Sequence, residues 1–373
     1  DEKNSFNFLL FYERRARRII PMLLLVSIIS IPFGWILLSP SDLIELSNSL
    51  IAAIAFVSNF FFYFSTTEYG ADSSLLKPFL HTWSLGVEEQ FYILFPILAI
   101  LIHKYYKDRF FEIIFVLSLI SLVFSEIIQT INPSINFFFP FSRFWELAAG
   151  SLLAKRDLMQ KPKPINTLSR LAPFIGLFLI VLSIAFFNES TPHPTIFTLA
   201  PIIGVILIIA FASKDEFIGR ILGSKIFVSV GLISYSAYLW HFPIMSFWRT
   251  ADFSINASLQ TQFIWISLTF FLSTLTYFFI EKPFRNKNLI NLKVLCISIF
   301  STILIIVLSA LLIIKNDGYT NRTPQYIQRE FFDDRYANLK VFNKCHSRIG
   351  DDVIGELDFC KLGESKKFAY LVG

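Results

Sequence analysis

Ten stretches of almost unbroken apolar sequence limit what this chain can become. The first follows a basic cluster over 12–21 and runs to about Leu38; the others cover 48–66, 89–103, 111–129, 137–154, 171–188, 196–213, 226–248, 262–280 and 292–314. A helix needs ~20 apolar residues to cross a bilayer, and several stretches approach that length. Composition removes the soluble alternative: 54% of the 373 residues are hydrophobic, 16% are charged and 44 are Phe, too apolar for a globule in water. Lipid offers no hydrogen-bond partners, so each spanning segment must satisfy its own backbone, as a helix does. The expected fold is an all-α polytopic integral membrane helical bundle. Short connections favour a single bundle. Neither a fixed-period repeat nor a low-complexity tract is present, and Lys161-Pro-Lys-Pro164 marks a polar loop.

The formal net charge of +5 does not point to nucleic acid, because Lys and Arg sit in short clusters between apolar runs, the pattern of loops that flank a membrane. Membrane lipids are the expected surroundings. Loops 155–170 and 281–293 are basic and belong in the cytoplasm, whereas 189–195 and 249–261 nearly lack Lys and belong outside. The segment after Asn291 then exits, and the tail from Lys315 is external. Ten full crossings would leave the basic cluster over 12–21 outside, against the positive-inside rule. One candidate is therefore expected to be re-entrant, broken or interfacial, with 48–66 and 137–154 the prime choices. The chain begins at Asp1 without a signal-peptide pattern and reads as a piece of a longer protein.

Polar groups within such sequence are costly, ~2.5–3.5 kcal/mol for a charge at the bilayer centre, and so mark functional sites by default. Arg14 and Arg17, like Arg15 and Arg18, are three apart and share a helix face. They serve either as a positive-inside anchor or as a phosphate clamp, since the guanidinium fork matches phosphate oxygens. The stretch His81-Thr-Trp-Ser-Leu-Gly-Val-Glu-Glu-Gln-Phe-Tyr92 sets His81, Trp83, Glu88 and Glu89 at the head of an apolar run. Its carboxylates are either a solvated first turn, favourable to the helix dipole, or part of a site. Arg143 and Glu146, at i and i+3, form an internal packing bridge or line a path, and Ala148-Ala-Gly-Ser151 offers a small-residue face. Ser234, Tyr238 and His241, at spacings of four and three, should line one helix face that ends at Pro243, either as packed groups or as the lining of a polar pore. Glu281-Lys-Pro-Phe-Arg285 reads most simply as a charged helix terminus, and Cys296 as a packed thiol. No metal site is expected.

In order, the motifs Phe11-Tyr-Glu-Arg-Arg-Ala-Arg-Arg-Ile-Ile-Pro21, His81 to Tyr92, Arg143-Phe-Trp-Glu-Leu-Ala-Ala-Gly150, Ser234-Tyr-Ser-Ala-Tyr-Leu-Trp-His-Phe-Pro243 and Glu281 to Arg285 closely resemble the membrane-bound acyltransferase family 3. The likeness covers residues 6 to about 314 and is greatest to bacterial enzymes that O-acetylate lipopolysaccharide or other envelope sugars. The resemblance implies a bacterial inner-membrane protein that moves an acetyl group from cytoplasmic acetyl-CoA, a donor substrate and not a resident cofactor, to a hydroxyl of an extracytoplasmic glycan. That acceptor would be O-antigen, exopolysaccharide or peptidoglycan. It also implies donor binding by Arg14, Arg15, Arg17 and Arg18, catalytic support from Glu88, Glu89 and His81, and a path lined by Trp83, Arg143, Glu146, Tyr238 and His241. The family's acyl-transfer histidine lies on a helix expected upstream of residue 1, and no histidine of this chain inherits that role by default.

The resemblance divides the chain into a membrane acyltransferase domain over 1–314, an extracytoplasmic linker over 315–365 and a strand over 366–373. That strand, Lys366-Lys-Phe-Ala-Tyr-Leu-Val-Gly373, is the expected start of an α/β SGNH hydrolase-like domain. Cys345 and Cys360, on the expected outer side, are candidates for a disulfide. The competing class is a secondary transporter or flippase of a sugar-linked or anionic substrate, which would predict an internal repeat. A structural or receptor-like membrane protein leaves the clustered charged motifs unexplained.

Overall fold

The computed structural model describes residues 7–67, 73–106, 109–159, 167–188, 190–214, 216–252 and 257–322. Cys345, Cys360 and the expected strand over 366–373 lie outside them. Among the described residues every regular element is helical. Five stretches are long and apolar enough to cross a membrane: α1 (Phe8–Leu37), α4 (Thr82–Tyr105), α5 (Phe110–Ile131), Leu259–Arg285 and α14 (Leu292–Lys315). The chain is a multi-pass membrane protein.

The segment 48–66 is not one helix. α2 (Pro40–Ile54), capped by the Ser39 side chain, stops before Phe56, whose φ of 55° a helix cannot accommodate, and α3 (Ser58–Thr67) begins afresh. The segment 137–154 is broken as well, near its start, between α6 (Pro133–Phe138) and α7 (Pro140–Met159), with extended backbone at Phe139. Proline at the first position of α2, α6 and α7 suits a new helix start, where its missing N–H is not needed. The remaining elements are α8 (Thr167–Phe186), α9 (Leu199–Phe211), α10 (Phe217–Leu222), α11 (Lys225–Asp252), α12 (Leu259–Thr276) and α13 (Lys282–Arg285), the last two joined by a π-helical turn over Tyr277–Glu281.

Pairwise contacts set the directions of these helices. Arg15 pairs with Glu89, and Tyr12 reaches the carbonyls of Tyr92 and Ile93, so α4 runs antiparallel to α1. Tyr235 bonds to the Ile19 carbonyl and Phe247 packs on Phe33, so α11 runs parallel to α1. At the end of α14, Gly318 closes on the Pro40 backbone, while Arg322 bonds to the carbonyls of Trp35 and Leu38. At the other end, Arg17 and Glu13 hold the loop between α13 and α14. The basic cluster and the basic 281–293 loop thus share one face, the one that the positive-inside rule expects in the cytoplasm and that is called the cytoplasmic end below. The pair α2–α3 joins the outer end of α1 to the outer end of α4 and so makes no net crossing, which removes the conflict in the charge count.

The main core gathers on α1, where Met22, Leu23 and Val26 are fully buried against Leu43 of α2, Leu239 of α11 and Ile306 of α14. Large apolar side chains facing away from it, such as Leu94, Ile120 and Phe300, are exposed, as lipid contact allows. α8 and α9 cross where a Cβ on Gly176 would sit 2.5 Å from the Gly204 carbonyl oxygen, an approach that only glycine permits. Three local expectations are corrected. α11 does not end at Pro243 but continues to Asp252, because one missing N–H costs little in a long packed helix. Cys296 is exposed on α14 and not packed, since it lies off the stripe holding Leu295 and Ile306. In the small-residue run, Ala148 is buried, but Gly150 faces open space.

Candidate functional site

Helix α4 distributes its polar residues over separate faces. His81, Ser84 and Glu88 lie at i, i+3 and i+7 and form a stripe. Glu89 and Tyr92 turn toward α1, and Trp83 turns toward α6 and α7.

At the cytoplasmic end, Arg15 Nη2 lies 2.6 Å from Glu89 Oε1, and its guanidinium carbon sits 3.2 Å from the centre of the Tyr92 ring. Glu89 is 8% exposed and Arg15 is partly exposed, so the carboxylate end of this bridge is shielded from water. Glu88 is exposed, yet within electrostatic reach of Arg15, Arg18 and Glu89. It also acts on Tyr235 and Tyr238 across the gap to α11. Arg14 and Arg18 are exposed. Arg17 differs from the other three: it is 2% exposed, donates to Glu13 at 2.8 Å and holds the carbonyls of Phe284 at 3.1 Å and Ile290 at 2.7 Å. Its hydrogen bonds go to the protein itself.

Toward the outer end, the facing stripe on α11 is Tyr235, Tyr238 and His241. The expected first member, Ser234, is exposed and bonds only to the Gly231 carbonyl one turn back. Tyr235 replaces it because α11 presents its three-residue spacing to α1 and α4. Tyr235 donates to the Ile19 carbonyl at 2.9 Å. Tyr238 donates to the His81 carbonyl at 2.6 Å, and Ser84 Oγ lies 2.9 Å from the same phenol oxygen. His241 Nδ1 lies 2.6 Å from the Tyr238 carbonyl, which makes Nδ1 the protonated nitrogen and leaves Nε2 with a free lone pair. The His81 ring is 5.3 Å from that of His241 and stacks on Phe242 at 5.6 Å. His81 is 6% exposed, and neither ring nitrogen has a hydrogen-bond partner; the backbone of Pro78 approaches without completing one. Buried Lys77, paired with Glu45 of α2, lies one turn before it.

Two further clusters complete the polar interior. Arg143 pairs with Glu146 at 3.3 Å, donates from Nε to the Phe137 carbonyl at 2.8 Å and stacks on Trp83 at 4.6 Å. The structure thus joins Trp83, Arg143 and Glu146 on the side of α4 that faces away from His81. Glu281 was expected as a charged terminus, but it is 1% exposed and takes hydrogen bonds from Ser236 at 2.8 Å and Arg285 at 3.3 Å. The π-turn rotates this carboxylate into the bundle, and such turns recur at functional sites. Tyr235, Ser236 and Glu281 were missed as site residues because no local pattern distinguishes them. The proline-marked Glu-Lys-Pro was the available signal.

A family model for the acyltransferase domain matches residues 2–313. The chain belongs to acyltransferase family 3. This acyltransferase family 3 chain is 32% identical over 292 residues to a putative O-acetyltransferase of Staphylococcus aureus strain COL, covering 75% of this chain and 48% of that one. It is 29% identical over 298 residues to the O-acetyltransferase OatA of Staphylococcus aureus strain NCTC 8325, covering 76% and 48%. The chain spans about half the length of these curated relatives. No solved structure shows a significant match. The helical bundle and the ordered motifs agree with the acyltransferase assignment.

Proposed function

We propose that the chain is the membrane part of an O-acetyltransferase, carrying an acetyl group from cytoplasmic acetyl-CoA to a glycan hydroxyl outside. The observation that carries this reading is the polar seam between α4 and α11, which starts at exposed Glu88 beside Arg15 and Arg18 and ends at buried His81. Acetyl-CoA bears phosphates, and Arg14, Arg15 and Arg18 supply guanidinium groups at the cytoplasmic end. Glu89 and Tyr92 hold Arg15 in place. Arg17, in this reading, supports the donor site from behind by fixing the 281–293 loop. Seven residues separate Glu88 from His81, ~10 Å along a helix at 1.5 Å per residue, a distance that a pantetheine arm can span.

The acceptor is proposed to be an envelope glycan, reached from the outer face of the bacterial inner membrane. The test uses radiolabelled acetyl-CoA with the full-length protein in inverted membrane vesicles. Label appearing in ester linkage on glycan supports acetyl transfer; uptake of intact acetyl-CoA or sugar without label transfer supports the transporter reading instead.

A further inference from the structure

We infer that His81 and His241 form the acceptor end of this site, where a sugar hydroxyl is bound and deprotonated; the inference rests on the acetyl-transfer reading above. A polar group buried without a partner is rare and calls for an explanation. His81 presents two such nitrogens on a ring that is 6% exposed and packed among the rings of Phe79, Phe242 and Tyr238. The Tyr238 phenol bonds to the backbone carbonyl of His81 and not to its ring, so that hydrogen bond does not account for an imidazole there. A ligand with one hydroxyl and one carbonyl oxygen would satisfy the ring.

His241 supplies the complementary group. Its Nδ1–H is committed to the Tyr238 carbonyl, so the Nε2 lone pair is set in orientation and tautomer, the usual arrangement of a general base. In the step proposed, the acceptor O–H gives its proton to His241 Nε2 as the oxygen bonds to the acetyl carbonyl carbon. The carbonyl π pair becomes an oxyanion facing the His81 N–H. As that intermediate collapses, the bond from carbon to its carrier atom, a thioester sulfur or an acyl-histidine nitrogen, breaks. The carrier leaves with the electron pair and takes the proton back from His241, so the products are an acetyl ester and the protonated carrier. Glu88, about two turns toward the cytoplasm, belongs to the donor end in this division.

The test places His241→Ala, His241→Gln, His81→Ala and His81→Gln in the full-length protein. It measures alkali-releasable acetate on envelope glycans of producing cells and, in vesicles, acetyl-CoA affinity. General acid–base groups contribute typically 10²- to 10⁴-fold, so both alanine variants are expected to lose about 100-fold or more of glycan acetate. Acetyl-CoA affinity should stay within about threefold, which also shows that the variants fold. His81→Gln, which keeps an N–H donor, should recover part of the activity; His241→Gln, which has no base, should not. Transfer within about threefold of wild type in either alanine variant overturns the inference, as does a matching loss of acetyl-CoA affinity or equal rescue by both Gln variants. If the wild-type protein itself places no ester-linked acetate on glycan, the acetyl-transfer reading fails, and this one with it.

Discussion

Arg15 and Glu89 stand 74 positions apart in sequence and 2.6 Å apart in the bundle, with Tyr92 stacked on the guanidinium. That contact fixes the relative height of α1 and α4. It thereby brings Arg18, three residues on and on the same helix face as Arg15, beside Glu88. Removing Glu89 as Glu89→Ala should release Arg15 and cost about 1–3 kcal/mol, the range for losing a hydrogen bond to a charged group. Unfolding in detergent would measure it, and no loss would show that the pair is not held in the membrane.

The four arginines should separate by assay. Arg15→Ala and Arg18→Ala should each weaken acetyl-CoA binding by about 10- to 100-fold, corresponding to ~1.5–3 kcal/mol for a charge-assisted bond, with stability little changed for Arg18. Arg17→Ala should instead lower stability by about 1.5–3 kcal/mol, because the carbonyls of Phe284 and Ile290 would lose the guanidinium that ties the 281–293 loop to α1. Equilibrium binding and thermal melting read the two outcomes independently.

Ser236→Ala should destabilise the bundle by about 1–3 kcal/mol, because the Glu281 carboxylate, 1% exposed, would lose its 2.8 Å donor. Glu281→Gln should be milder, since its amide oxygen can still accept from Ser236. A melting series in which the glutamine variant fell furthest would contradict the assigned hydrogen bond.

Face assignment can be checked by cysteine labelling. Cysteines placed at Lys287 and Arg14 should react from the cytoplasmic side, and one at Asn316 from the opposite side, all three positions being exposed. Labelling of Arg14→Cys and Asn316→Cys from one side would refute the re-entrant role of α2–α3.

The α8–α9 crossing should not tolerate bulk. Gly176→Ala places a Cβ 2.5 Å from a backbone oxygen that cannot rotate away, so about 1–3 kcal/mol of overpacking is expected. Protease resistance of the loop joining α8 to α9 would report it.

Much of the fold could be read from the chain because hydropathy and turn chemistry act locally. Apolar length marked the membrane helices, and Pro40, Pro133 and Pro140 stand at helix starts, although the segment 137–154 was drawn through Pro140 and the break at Phe56 has no proline to mark it. The site was legible only in part. Spacing correctly grouped Arg15 with Arg18 and Tyr238 with His241, because neighbours three apart share a helix face. Spacing could not choose between Ser234 and Tyr235, one residue apart on α11, since that depends on which way the helix is rolled against its neighbours. Nor could it show Glu281 as buried, because the rotation that buries it comes from a π-turn.

By itself, the sequence determined that this is a helical membrane protein, where its polar motifs fall and which family they resemble. Burial of apolar length and local backbone preference dictate those features over a few turns at a time. Only the tertiary structure decided that Arg17 serves the fold while Arg15 and Arg18 face the seam, that α2–α3 returns to the face it left, and that His81 meets His241. Each of these depends on pairings between residues as far as 273 positions apart, which packing creates and no local pattern encodes.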